Sequence, residues 1–299
     1  MTVRVIWHPS SLKHSAGEGH PESPTRLEAV LAELKSPSLP YEVNWHVAKP
    51  AGEDLLLAVH EEDYLTGIRD LAARGGGRLD EDTYVNEHSY VAAVHGAGAA
   101  VEAAQAALAG SPAFAAVRPP GHHATADTAM GFCLINNVVV AARWALNQGT
   151  LGRVLIIDWD VHHGNGTQEL VERDERIRYV SLHQWPLYPG TGGEEERGVG
   201  NVFNVPRSPG LPRDTYVRDL NRAVDRATDG WLPELILISA GFDALAGDPL
   251  AGFTLEPDDY SLWTARWREI GAPVASVMEG GYVPGRVCKA AAAHVGALA

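Results

Sequence analysis

Two kinds of apolar pattern alternate along the chain. Short, unbroken runs of mostly apolar residues occur at Val3–Trp7, Ala113–Val117, Val154–Ile157, Ile177–His183, Leu235–Ser239 and Val274–Met278. Unbroken hydrophobicity over so few residues marks strands covered on both faces, as in a parallel sheet. Tyr41–Val47 and Asn201–Val205 are further candidate strands. Helical stretches separate them. Pro24-Thr25-Arg26-Leu27 opens one that runs to about Lys35, with proline at an early helical position. Others are expected from Val59 onward, over the alanine-rich Ser89–Leu108, after Gly131–Asn137 to about Leu146, over Arg213–Thr228 and over Pro257–Ile270. Gly96 and Gly98 would let the alanine-rich helix pack closely on a sheet. Ser10–Pro24 reads as a polar loop carrying His14, Glu18, His20 and Glu22. Gly75-Gly76-Gly77 reads as a flexible break before a second polar loop, Leu79–Tyr84. No period of roughly 20–50 residues recurs, which excludes a repeat architecture. The alternation predicts one α/β domain over residues 1–299 with a mainly parallel sheet.

The chemistry-bearing residues gather where the strands end. After Val154–Ile157 come Asp158, Asp160, His162 and His163, then Gly164-Asn165-Gly166. Ligands of open parallel sheets bind beyond the carboxyl ends of strands. Side chains alternate along extended backbone, so Asp158, Asp160 and His162 leave it on one side. Two carboxylates and an imidazole converging there suit a metal ion; the competing reading is an Asp–His pair capping a helix near Thr167. Asp243 follows the Leu235–Ser239 strand. Asp160, His162 and Asp243 would then supply three ligands and leave a coordination position open, as catalytic sites do. Arg118-Pro119-Pro120-Gly121 is a rigid turn that presents His122 and His123, candidates for proton transfer. Asp158 and Asn165 are candidates to fix the tautomers of those histidines. Tyr282, after Gly280-Gly281, is either an oxyanion donor or a core tyrosine. Together these parts specify metal-assisted amide or ester hydrolysis.

Composition narrows the partners. The chain has 45% hydrophobic and 21% charged residues and a formal charge of −14. Such a balance disfavours nucleic acid and suits cationic substrates. With only Cys133 and Cys288, neither a disulfide framework nor a cysteine-based zinc site can form. The N-terminal residues lack a signal-peptide core, and no unbroken apolar stretch has transmembrane length. A soluble cytoplasmic enzyme without a membrane partner is expected; the sequence leaves homo-oligomerisation open.

The blocks R-P-P-G-H-H-A, G-F-C-L-I-N-N, D-W-D-V-H-H-G-N-G-T, S-A-G-F-D-A-L-A-G-D-P and E-G-G-Y resemble the signature blocks of the histone deacetylase family. The wording is most similar to class II and bacterial members, among them acetoin-utilisation and acetylpolyamine amidohydrolase proteins. The resemblance runs from His20 to Tyr282. It implies an arginase-like, three-layer α/β fold with about eight sheet strands and helices on both faces. It implies zinc on Asp160, His162 and Asp243, a ligand set hard enough for iron(II) or cobalt as well. His123 would be the general base and acid, His122 its electrostatic partner oriented by Asp158, and Tyr282 the oxyanion donor. Asn165 stands where class I members carry aspartate, which should make His123 less basic. A structural potassium ion is implied at Asp158 and Ser181 with the carbonyls of Asp160, His162 and Leu182. Gly131, Phe132, Tyr188 and Leu250 would wall an acyl-lysine tunnel, with Gly280 beside it; Arg26 would lie near an internal acetate channel. The implied substrate is an N-acetylated lysine peptide or protein. Its rival is an acetylated polyamine, for which Asp82, Glu18 and Glu22 are candidate cation-recognising rim residues. Leu250 weighs against that rival, since eukaryotic polyamine-selective relatives carry glutamate there. A dimanganese ureohydrolase and a catalytically silent acyl-lysine or small-molecule binder are the remaining alternatives.

Overall fold

A computed structural model describes residues 2–299. Its centre is an eight-stranded parallel sheet. The strands are β1 (Thr2–Trp7), β2 (Glu42–Val47), β5 (Ala113–Ala115), β6 (Val154–Asp158), β7 (Ile177–Gln184), β8 (Val202–Arg207), β9 (Leu235–Ala240) and β10 (Val274–Met278), in the order β2-β1-β5-β10-β9-β6-β7-β8. Alternate side chains feed two separate cores. On β6, Leu155 and Ile157 enter one while Val154 and Ile156 enter the other; on β9, Ile236 and Ile238 oppose Leu235 and Leu237. The first core is covered by α1 (Pro24–Leu34), α7 (Arg213–Thr228), α8 (Pro257–Arg268) and α9 (Pro284–Leu298). The second is covered by α2 (Glu53–Leu57), α3 (Glu62–Ala73), α4 (Ser89–Leu108) and α5 (Asn137–Asn147). The result is the three-layer, arginase-like α/β architecture. Each fully buried Leu, Ile or Val contributes roughly 1.5–3 kcal/mol by leaving water, so both faces hold the sheet in place.

The strand order decides the position of the site. β5, β10, β9 and β6 are consecutive neighbours, and the polar clusters at 118–123, 158–163, 243 and 279–282 all lie beyond their carboxyl ends. A short helix, α6 (Asn165–Val171), follows the second of those clusters.

Two expectations need correction. Gly76–Arg78 is not a flexible break: it forms β3, paired antiparallel with β4 (Tyr84–Asn86), and the hairpin carries Asp82. The helix expected from Val59 begins at Glu62, because Val59 and His60 close the turn after α2. α4 has the length and mean hydropathy of a membrane span without an unbroken apolar run, and 72% of that window is buried inside the protein. Alanine and glycine on most of its circumference let it lie against α5 and the sheet at close range. The terminal helix α9 had no counterpart in the sequence reading.

Candidate active site

At the end of β6 the period of two persists past the strand. Trp159 and Val161 continue into the core beneath α8, where Trp159 stacks on Trp263 and packs at a tilt against Trp267. Asp158, Asp160 and His162 therefore face the other way, into the site. The ligand atoms of Asp160, His162 and Asp243 all lie within 4.8 Å of one another, and all three residues are buried. His162 Nδ1 is 3.1 Å from Asp160 Oδ1 and 3.1 Å from Asp243 Oδ2. The backbone orients the carboxylates: Val161 N–H donates to Asp243 Oδ1 at 2.8 Å, His162 N–H to Asp160 Oδ1 at 2.9 Å and Gly280 N–H to Asp160 Oδ2 at 2.9 Å. A β-carbon at Gly280 would stand 2.2 Å from Asp243 Oδ2, so this position requires glycine. Burial and the neighbouring Asp160 push the Asp243 carboxyl up to about 7. Two buried carboxylates on one imidazole carry a surplus of negative charge that a divalent cation neutralises, and the donor set fits one.

The paired histidines sit in opposite environments. His122 Nδ1 donates to Asp158 Oδ2 at 3.0 Å. Burial pulls His122 down, but Asp160 and Asp158 outweigh it and push the imidazole up to about 10. His123 donates from Nδ1 to Asn165 Oδ1 at 2.9 Å. Burial holds His123 well below the ordinary histidine range, helped by the neighbouring His122 and His162. These surroundings favour the charged form of His122 and the neutral form of His123, and among the described residues no group hydrogen-bonds His123 Nε2.

A cavity of about 200 Å³ opens above these groups. His123, His162 and Tyr282 form its floor, Phe132, Tyr188 and Leu250 its walls, and Asp82 part of its mouth. Gly131 and Phe132 are both left-handed, with φ of 54° and 67°. A β-carbon on Gly131 would come 2.4 Å from the His123 ring. Phe132 pays roughly 1–3 kcal/mol for a backbone usually left to glycine, and its N–H is held by Thr83 Oγ1 at 3.1 Å. His20 packs edge-on against Phe132 with ring centroids 4.8 Å apart. Tyr282 also lies edge-on to Phe132, with ring centroids 5.9 Å apart, and under the Arg26 guanidinium, which is 4.9 Å from the Tyr282 ring centroid. Its hydroxyl takes no hydrogen bond among the described residues, so it remains available to a ligand.

A model of the histone deacetylase domain matches residues 20–298. The chain belongs to the histone deacetylase family. It is 39% identical over 279 residues to a histone deacetylase-like amidohydrolase of Pseudomonas aeruginosa, covering 89% of this chain and 73% of that one. It is 37% identical to a probable deacetylase of Methanothermobacter thermautotrophicus, covering 94% and 86%. The crystal structure of the HDA15 HD domain superposes with a TM-score of 0.94 at 36% identity, covering 99% of this chain and 90% of that one. The arginase-like sheet therefore serves a deacetylase-family amidohydrolase here.

Within this histone deacetylase framework the expected site residues divide. His122, His123, Asp158, Asn165, Asp160, His162, Asp243 and Tyr282 converge, with Gly131, Phe132, Tyr188, Leu250 and Asp82 around the cavity above them. Gly280 lies behind the carboxylates rather than in the cavity wall. Asp158 and Ser181 are register partners on β6 and β7, with Leu182 next in line; the Ser181 hydroxyl contacts His183 Nδ1 at 2.9 Å. Glu18 is exposed. Glu22 is not a rim residue. It is buried behind Tyr282, bonded to Arg26 at 2.9 Å and to Arg118 at 2.5 and 2.6 Å, because an isolated pair of buried guanidinium groups demands an anion. Arg26 also donates to the carbonyls of Gly281, at 2.5 Å, and Glu279.

Two carboxylates escaped the sequence reading. Glu279 Oε2 accepts from the backbone N–H of Gly121 at 2.6 Å and of His122 at 3.2 Å, anchoring the turn that presents the histidines. Asp248 accepts from the backbone N–H of Tyr282 at 2.8 Å and of Leu250 at 3.0 Å. Each belonged to a recognisable block, but only the fold shows which backbone it holds. His122, Cys133 and Glu279 form a second trio of potential metal ligands. Each is already engaged: His122 with Asp158, Cys133 Sγ with the Gly131 carbonyl at 3.3 Å, and Glu279 with two amides.

Proposed function

We propose that this chain is a zinc-dependent deacetylase that hydrolyses the acetamide of N-acetylated lysine side chains or similar acylated amines. The observation that carries the reading is the opposed pair His122 and His123 beside the buried Asp160–His162–Asp243 trio, with His123 and His162 lining a mostly apolar cavity. Asp160, His162 and Asp243 would hold the zinc ion, which when bound would supply Lewis acidity to a water molecule and an acyl oxygen. His123, neutral and locked in one tautomer by Asn165, takes a proton from that water at Nε2 and returns it to the departing amine. The Asp160 and Asp158 carboxylates favour a charged His122, and a charge there would discourage premature protonation of His123 and favour negative charge on the reacting carbonyl. Tyr282 donates its free hydroxyl to the same developing charge. Phe132, Tyr188 and Leu250 accept the methylene chain and exclude water. A structural potassium ion would be held by the buried Asp158 carboxylate and by Ser181, its register partner on β7, with the backbone carbonyls of Asp160, His162 and Leu182.

One observation favours a second substrate, an acetylated polyamine. Asp80, Glu81 and Asp82 occupy the β3–β4 turn, and Asp82 lines the cavity mouth, where a distal ammonium would sit. Leu250 adds no charge to that mouth, so acetyl-lysine stays the primary reading. The test is acetate release by the zinc-loaded protein from a neutral-flanked acetyl-lysine peptide and from an acetylated polyamine, with chelated and Tyr282→Phe samples alongside. Peptide turnover lost in both controls is the expected result. Turnover confined to the polyamine moves the substrate to the second reading, and no metal-dependent acetate from either defeats both.

A further inference from the structure

We propose that Asp248 is a positioning residue that ties the cavity wall at Leu250 to the reacting tyrosine, so one carboxylate sets both the placement of Tyr282 and the fit of the acyl chain. The proposal rests on the deacetylase reading above and extends it to a residue outside the reacting set.

The chain between Ala244 and Leu255 is a loop with a closed neck. Leu255 N–H donates to the Ala244 carbonyl at 3.0 Å, and Ala246 N–H to the Leu255 carbonyl at 2.9 Å. Beyond the neck, the tip is tied outward at two points. Gly252 lies against β7 and the loop after β8: its N–H donates to Gln184 Oε1 at 2.7 Å, and its carbonyl accepts from Gly210 N–H at 3.2 Å. Asp248 is the other tie, and it reaches the end of β10 through Tyr282 N–H. Its bond to Leu250 N–H is a local side-chain turn that many aspartates make. The bond to Tyr282, 34 residues away, is not local and no turn requires it.

The chemistry of the residue matters. Two amides point at the two oxygens of one buried carboxylate. An asparagine has one acceptor oxygen and an NH₂, so neither flip of its side chain holds both amides, and exchange between the two flips weakens both ties. Tyr282 follows Gly280 and Gly281, the latter with φ of 119°, so the backbone ahead of the ring is intrinsically free to rotate. With the Tyr282 amide released, the hydroxyl loses its fixed distance from the metal carboxylates. With the Leu250 amide released, the cavity widens at that wall.

A double-mutant cycle separates this role from general support of the fold. Asp248→Asn, Tyr282→Phe and the double variant are assayed with acetyl and longer acyl substrates, with circular-dichroism melting of each. We expect Asp248→Asn to lower kcat for the acetyl substrate roughly tenfold to a hundredfold, the cost of misplacing a reacting group. On the Tyr282→Phe background the same change should alter kcat by less than about threefold, because the group it positions is gone. The acetyl preference over longer acyl chains should narrow in both backgrounds. Equal loss of kcat in both backgrounds, or an unchanged acyl preference, overturns the proposal. If Asp248→Asn does not fold, Asp248→Ser carries the same cycle with a single small acceptor. A parent that releases no acetate defeats the deacetylase reading; a parent that turns over while Asp248→Asn matches it defeats this inference alone.

Discussion

Two buried charged clusters flank Tyr282, and they solve the same problem in opposite ways. In front, Asp160 and Asp243 share one imidazole, with their remaining bonds supplied by neutral backbone amides. Behind, Glu22 is enclosed by Arg26, Arg118 and His14, and the surplus guanidinium hydrogens end on the carbonyls of Ser11, His14, Gly281 and Glu279. The rear cluster is complete within the chain. The front cluster sets two carboxylates against one imidazole, and burial, with the neighbouring Asp160 adding to it, raises Asp243 toward neutral pH. Charge left unpaired in a protein interior is costly, so where it persists an external ion or a reaction is the usual reason.

The largest difference between the clusters should appear in activity. Asp243→Asn is expected to remove metal-dependent acetate release, at least a hundredfold below the parent given what a metal-activated nucleophile contributes. The same substitution should leave the metal-free fold as stable as the parent or more so, by about 1 kcal/mol, since it relieves like-charge crowding. Melting curves with and without zinc check both halves: zinc should raise the parent's Tm and leave the variant's nearly unchanged. A variant that melts lower than the metal-free parent would erase the contrast between the clusters.

The rear cluster should behave the other way. Glu22→Gln strands two buried guanidinium groups and should cost about 3–5 kcal/mol of stability at neutral pH, read by denaturant unfolding. Burial alone would raise Glu22, but Arg118, His14 and Arg26 hold it well below the usual carboxylate range. A depressed carboxylate contributes stability above its unfolded pKa and loses it only as pH falls through the folded value. The Glu22→Gln deficit should therefore persist at pH 5 and shrink only in stronger acid.

Acid should nevertheless destabilise the whole protein earlier, through its buried neutral histidines. Burial lowers His60 and His163 to about 4, and His183 and His294 to about 3, from 6.5. The unfolded chain takes up those protons below 6.5 while the folded chain does not, so stability falls as pH drops from 6.5 toward 4. His294 lies on the core side of the front cluster, against Trp159, sandwiched between Thr264 and Ser276 hydroxyls at 2.6 and 2.7 Å. His294→Gln should flatten part of that slope in melting experiments across the same window.

The smallest effect is a tuning one. Asn165→Asp adds a carboxylate on the front side at His123 Nδ1 and should move the acidic limb of the kcat/KM profile upward by up to about one pH unit. An unmoved limb would mean that another group sets it.

Most of the front cluster was legible in the sequence. Each of its groups follows a buried strand directly, and alternation already placed Asp158, Asp160 and His162 on one side. The strands themselves were readable because two covered faces leave no room for polar interruptions. Glu22 was misread because loop composition says nothing about which side chains turn inward; its fate depends on Arg118, 96 residues away. Asp248 and Glu279 were passed over for the same reason, since their partners are backbone amides that no residue letter reveals. The β3–β4 hairpin hid in a glycine run because its pairing, not its side chains, makes it a strand.

By itself, then, the sequence determined the alternation of strands and helices and the chemical groups at each strand end, because those depend on local period and residue type. Strand order was beyond it. That β5, β10, β9 and β6 stand side by side, bringing four distant clusters to one cavity, follows from how the crossovers pack on the two faces of the sheet. The tertiary structure also decided which buried charges find partners within the chain, because pairing depends on distance in space, and helices and strands between two residues set that distance.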